Sequence, residues 1–123
     1  MSTLKEFSVN NCKFTFYCSS RSTRHGFAHD AELFCEGNKI SSASCHYLNR
    51  TWECYTYQSV MKKAVGNEID SIRSALKYEY LSVNGYERMT EKRKADFEGV
   101  FLNDNSNYRV GYLNNLYALY KML

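Results

Sequence analysis

The sequence predicts an α+β fold in which a small antiparallel sheet comes first and helices follow. In the first half of the chain, polar and apolar side chains alternate along segments that are separated by Gly- and Asn-containing turns, a pattern typical of strands. After position 55, apolar residues recur every three or four positions, as in helices. A length of 123 residues with 44% hydrophobic residues is typical of one globular domain, so we expect residues 1–123 to form a single domain.

Three strands are predicted, at about residues 7–18, 27–36 and 39–48. The first is rich in aromatic and β-branched residues. The second alternates a core-facing set with an outward set that includes Phe34, and Gly37-Asn38 is predicted to be the turn before the third. The polar residues 19–26 are predicted to form a loop. The small residues 41–44 of the third strand would let a helix pack closely across it.

A long helix is predicted over about residues 56–82, with Thr56 as its N-cap. The apolar stripe continues through Gly66 without losing phase. Either one helix tolerates this glycine, at a cost of about 1 kcal/mol relative to alanine, or two helices meet there. Gly85 is predicted to end the helix. One or two shorter helices follow, over about residues 91–101 and 113–123.

Charge and cysteine usage restrict the class of protein. The net charge of +3 is spread along the chain, so it does not demand a nucleic-acid partner and argues against a mimic of DNA. Five cysteines without a CxxC spacing, and no apolar leader, predict free thiols in a reducing cytoplasm. No apolar run approaches the length of a membrane span. We therefore expect a cytoplasmic protein without membrane contact.

The sequence contains no recognisable catalytic or metal-binding motif. The cysteines are too widely spaced for the paired ligands of structural zinc. A Cys–His pair for nucleophilic catalysis could be formed by Cys35 and His29. Cys45 and His46 could not form one, because adjacent residues of a strand point to opposite faces. We expect no enzymatic activity and no cofactor.

Two features could contact a partner. The basic part of the predicted loop, from Arg21 to His25, could hold a phosphate group or an acidic partner, or its side chains could simply be solvated. We call this segment the basic loop. Residues 49–53, Asn-Arg-Thr-Trp-Glu, contain the only tryptophan. Trp52 could fill the junction between sheet and helix, or it could anchor a protein interface together with Arg50. The residues considered for partner binding are Arg21, Arg24, His25, Arg50, Trp52, Lys62 and Lys63.

This motif lies between Cys-His-Tyr-Leu at residues 45–48 and Tyr-Gln-Ser-Val at residues 57–60. The whole stretch resembles small accessory proteins of phages, plasmids and integrative elements, over roughly residues 13–65. These proteins include inhibitors of host defence, notably anti-CRISPR proteins, which are cofactor-free and act by stoichiometric binding. The resemblance implies a protein of the host bacterial cytoplasm whose partner is a host defence protein, above all a CRISPR effector nuclease or its guide-RNA complex. The alternative function is a nucleic-acid-binding accessory domain that uses the basic loop.

Overall fold

The computed structural model describes residues 2–48 and 57–123, and there the predicted α+β class is confirmed. One antiparallel sheet has the strand order β1-β2-β3-β4, and helices follow it. The strands are β1 (Ser2–Val9), β2 (Cys12–Thr23), β3 (Gly26–Cys35) and β4 (Asn38–Leu48). The helices are α1 (Gln58–Asn84), α2 (Glu91–Gly99) and α3 (Tyr108–Met122), with one turn of 3₁₀ helix (Phe101–Asn103) before α3.

The predicted count of three strands is wrong, because the described residues form four strands and the chain turns back within the first predicted one. Asn10 and Asn11 form a two-residue turn with φ angles of 48° and 66°, and β1 pairs with β2 along its whole length. Such a hairpin turn needs positive φ at both residues, which asparagine adopts more readily than most. Asn-Asn is a weaker hairpin signal than Asn-Gly. Lys5 lies opposite the buried Phe16, so a charged residue stands at a core-facing position of β1 and interrupts the alternation expected of a strand.

The prediction of a loop at residues 19–26 is also wrong. Strands β2 and β3 stay paired until only Arg24 and His25 remain as the turn. The polar end of β2 can form a strand because its side chains find partners across the sheet. Ser20 Oγ, for example, lies 2.6 Å from Nδ1 of the buried His29 in β3. Cross-strand partners therefore overrode a local composition typical of a loop.

The turn between β3 and β4 lies one residue earlier than predicted. Glu36 and Gly37 occupy it, with φ angles of 50° and 84°. The glutamate is held by two contacts with Lys13 of β2. Its Oε1 accepts from the Lys13 main-chain N–H at 2.7 Å, and its own N–H donates to the Lys13 carbonyl at 2.9 Å. This end of the sheet is therefore closely tied together.

Helix α1 is continuous through Gly66, which decides between the two alternatives. It packs closely on β4, where the Ser41 hydroxyl donates to the main-chain oxygen of the buried Ala64 at 2.7 Å. The small residues of β4 therefore permit the close approach that the sequence predicted. The predicted cap, Thr56, lies outside the described residues.

The end of α1 at Gly85 is confirmed. Gly85 has φ of 70°, and the N–H groups of Tyr86 and Gly85 donate to the carbonyls of Leu81 and Ser82 at 2.9 and 3.3 Å. This pattern is a Schellman motif, which favours glycine at the left-handed position. Two of the last carbonyls of the helix are thereby satisfied.

The start of α3 differs from the prediction. The helix begins at Tyr108 rather than near residue 113. Asn107 caps it, because its Oδ1 accepts from the Arg109 main-chain N–H at 3.0 Å. Asn107 was not recognised as a cap because it ends a polar segment, residues 103–107, whose composition is typical of a loop.

A single hydrophobic cluster joins the inner face of the sheet to α1, α2 and α3. It combines aromatic residues of β2 with aliphatic residues of the helices. Its fully buried large side chains include Phe14, Phe16, Leu33, Val60, Val65, Leu76, Val110, Leu113, Leu116 and Leu119. Because the helices supply these contacts on one face of the sheet, the outward side chains of the strands lie on the opposite face.

Candidate interaction surface

The outward face of the sheet carries a group of solvent-accessible apolar side chains. Leu4 of β1 and Tyr17 of β2 are cross-strand partners and are 50% and 52% exposed. The Tyr17 ring meets the partly buried Phe34 ring of β3 edge to face, with 5.9 Å between centroids. We call Leu4, Tyr17 and Phe34 the aromatic patch. They occupy three neighbouring strands and therefore form one surface rather than scattered exposed residues.

The aromatic patch combines two properties of binding surfaces. Aromatic side chains offer a large contact area with few rotatable bonds, so ordering them in a complex loses little conformational entropy. Backbone pairing on both sides of β2 and β3 holds the strands that present Tyr17 and Phe34. The patch is therefore prearranged for contact.

Charged residues surround the aromatic patch, and their charges cancel in pairs. Three ion pairs lie on or beside this face, with nitrogen–oxygen distances of 3.3, 3.2 and 3.0 Å. They are Lys13–Glu6, Lys39–Glu32 and Arg21–Asp30. Exposed pairs of this kind contribute about 0–1 kcal/mol to stability. Their larger consequence is that the face has an apolar centre and a polar rim without a marked excess of one charge.

One of these pairs belongs to a network that crosses three strands. The Asp30 carboxylate accepts hydrogen bonds from the Ser44 hydroxyl of β4 and from Arg21 Nε of β2. The bond from Ser44, and then the interaction with Arg21, hold the pKa of Asp30 below its usual value. Lys63 of α1 extends the network, since its Nζ donates to the Ser44 main-chain oxygen at 2.9 Å. Arg21 and Lys63 are thus connected through Asp30 and Ser44.

The edges of the sheet are less suited than its face to receive a partner. At β4, Lys63 and Asn67 of α1 donate to the main-chain oxygens of Ser44 and Ser42, at 2.9 and 3.2 Å. At β1, the exposed Lys5 occupies a core-facing position. Covering side chains and inward-pointing charges are known ways of preventing an edge strand from pairing with another chain.

The structure brings together only part of the predicted set of partner-binding residues. Arg21 and Lys63 belong to the network described above. Arg24 and His25 are exposed in the β2–β3 turn. Lys62 lies elsewhere, with its Nζ 5.8 Å from the centre of the Tyr120 ring of α3.

Arg50 and Trp52, with the rest of residues 49–56, lie outside the described residues. The two interpretations of the Asn-Arg-Thr-Trp-Glu motif both remain predictions.

The aromatic patch itself was missed as a site by sequence reasoning. The alternation of β3 had placed Phe34 on the outward face, which was a usable signal. Leu4 and Tyr17 gave none, because the hairpin that pairs β1 with β2 was not recognised. Only the register of these two strands brings Leu4 opposite Tyr17.

The proposed Cys35–His29 pair is not formed. The two residues lie six positions apart in β3, which separates them by about 20 Å along the strand. His29 instead pairs across the sheet with Cys45, contacts Ser20, and packs against the Tyr57 ring with 4.6 Å between centroids. His29 is thus a buried residue held by contacts with β2, β4 and the residue before α1.

Within residues 2–48 and 57–123, no group of three or more His, Cys, Asp or Glu side chains could hold a metal ion. An open groove of about 550 Å³ lies between α1 and α2. Its charged lining includes the ion pair between Arg73 and Glu98. Acidic and basic side chains are mixed in this groove, so it does not select for a ligand of one charge.

No helix in the described part of the chain is both long enough and apolar enough to cross a membrane. Comparisons of the chain with protein-family models, with curated proteins and with solved structures found no match.

Proposed function

We propose that this chain is a binding protein that inhibits a host defence nuclease by stoichiometric contact, and that the outward face of its sheet is the contact surface. The observation that carries the proposal is the aromatic patch, with an apolar centre and a charge-balanced rim. A protein interface has the same organisation. A partner that offers apolar or aromatic side chains matches this surface.

The charge distribution favours a protein over a nucleic acid as the partner. Nucleic-acid affinity comes largely from cations that neutralise phosphates. On this face, Arg21, Lys13 and Lys39 already pair with carboxylates. A phosphate backbone would have to displace those carboxylates or would lie beside them, and either arrangement weakens binding.

The size of the face fits a small interface. Four strands about 4.8 Å apart, paired over about eight residues at 3.4 Å each, give a footprint on the order of 500 Å². Typical stable interfaces bury about 800 Å² on each partner, and transient ones bury less. The exposed turn at Arg24 and His25 adjoins the end of the face and would enlarge the contact.

The choice of target rests on the sequence resemblance to small phage and mobile-element proteins. A CRISPR effector nuclease, alone or with its guide RNA, is the proposed target class. The absence of a recognisable catalytic motif is consistent with an inhibitor that binds its target without modifying it. Action in the host cytoplasm is part of the same proposal.

The test measures DNA cleavage by purified single-chain CRISPR nucleases, with guide RNA, at increasing amounts of this protein. The wild type should inhibit at least one effector near equimolar ratio. A Tyr17→Ala/Phe34→Ala variant should lose roughly tenfold or more in potency, as expected for interface hot spots. Cleavage that is unchanged at large molar excess, across several effectors, would remove this target class.

The matched control is Tyr78→Ala/Tyr108→Ala, which truncates two tyrosines that are 75% and 78% exposed on α1 and α3. It should inhibit as well as the wild type. If it loses as much potency as the sheet variant, then the outward face is not the contact surface. Circular dichroism spectra of all variants separate loss of binding from loss of folding.

A nucleic-acid-binding accessory domain is the second candidate, and the aromatic patch is the observation that favours it. Single-stranded nucleic acids stack their bases on aromatic side chains of antiparallel sheets. Binding to a fluorescent single-stranded oligonucleotide at several salt concentrations tests this candidate. An affinity that falls steeply with salt, and that drops in Arg21→Ala/Arg24→Ala, would favour it over the protein-binding proposal.

A further inference from the structure

Two thiols of adjacent strands lie almost in contact near one end of the sheet. Cys12 Sγ of β2 and Cys35 Sγ of β3 are 3.1 Å apart, and both residues are half-buried. Cys12 follows the Asn10-Asn11 turn, and Cys35 precedes the Glu36-Gly37 turn. Both residues border the hydrophobic cluster on the inner side of the sheet.

The main chain holds the two thiols close together. Cys35 is the neighbour of Glu36, whose side chain and N–H both bond to the main chain of Lys13, the neighbour of Cys12. The strand register pairs Phe14 with Cys35, one position beyond these bonds. The two cysteines therefore lie diagonally across the ladder position at which Lys13 and Glu36 are bonded to each other.

We propose that Cys12 and Cys35 are a reversible disulfide site, oxidised by exchange with a small-molecule disulfide such as oxidised glutathione. A disulfide has a sulfur–sulfur distance of about 2.05 Å, so the two sulfurs must approach by about 1 Å in total. This inference does not depend on the proposed function.

The exchange proceeds in two balanced steps. The Cys12 thiolate attacks one sulfur of oxidised glutathione, the glutathione disulfide breaks, and one glutathione thiolate leaves. The Cys35 thiolate then attacks the Cys12 sulfur of the mixed disulfide, and the second glutathione thiolate leaves. The two protons lost by the cysteines are taken up by the two leaving thiolates. The protein dithiol is oxidised by two electrons and glutathione disulfide is reduced by two.

The environment of Cys35 disfavours its thiolate. Burial, and then the interaction with Cys12, raise the pKa of Cys35 to about 12. A thiol attacks as its thiolate, so Cys35 is a poor first nucleophile at neutral pH. Once Cys12 carries glutathione, Cys35 is already positioned beside the sulfur that it must attack.

The cross-link would fasten β2 to β3 next to the aromatic patch, since Phe34 immediately precedes Cys35. It would close the chain between residues 12 and 35 and so restrict the unfolded state. We expect the oxidised protein to melt roughly 5–10 °C higher than the reduced one. Oxidation should therefore make this strand pair more resistant to opening.

The experiment equilibrates the purified protein in buffers of increasing ratio of oxidised to reduced glutathione. Remaining thiols are then alkylated with iodoacetamide, and intact and peptide masses are measured. Oxidising buffers should give a protein with two fewer alkylated cysteines and a peptide cross-link between Cys12 and Cys35. Reduction with dithiothreitol should restore both thiols and the lower melting temperature.

Cys45→Ser is the matched control, because it removes another half-buried strand cysteine but should leave the cross-link intact. Cys12→Ser and Cys35→Ser should each abolish it. Full alkylation of both residues at every ratio, or a cross-link between another pair of cysteines, would overturn the proposal. The wild-type protein alone decides this result, so poor folding of a variant does not obscure it.

Discussion

Gly66 offers a sharp test of how α1 is built. This glycine lies inside a continuous helix of 27 residues, and a Cβ added to it would meet nothing within 4 Å. Glycine costs a helix about 1 kcal/mol relative to alanine, mainly because the unfolded chain gains backbone freedom. Since no packing opposes the new methyl group, Gly66→Ala should stabilise the protein by about 0.5–1 kcal/mol.

Urea denaturation followed by circular dichroism measures this change. The midpoint should rise while the dependence of the unfolding free energy on urea stays constant. The melting temperature should rise by about 2–5 °C. A lower midpoint, or an altered urea dependence, would refute the inference of an uninterrupted and unobstructed helix at this position.

Gly85 provides the internal control. Space around it is equally free, but its φ is +70°, a conformation that costs alanine about 1–2 kcal/mol. Gly85→Ala should therefore destabilise the protein by about 1 kcal/mol. Opposite signs for the two substitutions would show that backbone conformation, rather than the added methyl group, decides the effect.

Three further predictions concern the core and two hydrogen-bonded groups. Leu76→Ala should lower the unfolding free energy by about 2–5 kcal/mol in urea, because Leu76 is fully buried. Tyr112→Phe should lower the unfolding free energy by about 1 kcal/mol, because it removes the 2.7 Å hydrogen bond from the Tyr112 hydroxyl to Glu68. Burial, and then that bond, raise the pKa of Tyr112, so the folded state loses stability above about pH 10, where the unfolded tyrosine ionises. In thermal melts across alkaline pH, the wild type should therefore lose stability more steeply than the variant. The pKa of Asp30 is lowered, chiefly by the hydrogen bond from Ser44. The stability that its carboxylate contributes is therefore present above the unfolded pKa of about 3.9 and is lost as the pH falls through the lower folded pKa. In thermal melts between about pH 5 and 2, Asp30→Asn should show a smaller loss of stability with falling pH than the wild type.

Local sequence signals located the elements better than they located the surface. The apolar stripe of α1 and the glycine at its end are properties of neighbouring residues, so the helix from Gln58 to Asn84 could be predicted closely. The Asn10-Asn11 turn was missed because its signal is weak without glycine. The polar end of β2 was missed because its partners, such as His29 and Asp30, lie on the next strand and are reached only through the register of the β2–β3 pair.

The proposed contact surface depended on tertiary structure for the same reason. Outward alternation could place Phe34 on the solvent side of β3, but strand register alone brings Leu4 and Tyr17 beside it. The ion pairs that neutralise the surrounding cations also join different strands. A prediction from charge alone therefore selected basic residues such as Arg21, which already forms an ion pair with Asp30.

The sequence by itself determined the α+β class, the order of sheet and helices, and the helical stripe, because these follow from the periodicity of neighbouring side chains. Tertiary structure decided the number of strands, the continuity of α1 through Gly66, the aromatic patch and the approach of Cys12 to Cys35. Each of these depends on pairing or packing between segments that are separate in the chain. Such contacts are selected by the free energy of the whole fold, so local sequence patterns predict them only weakly.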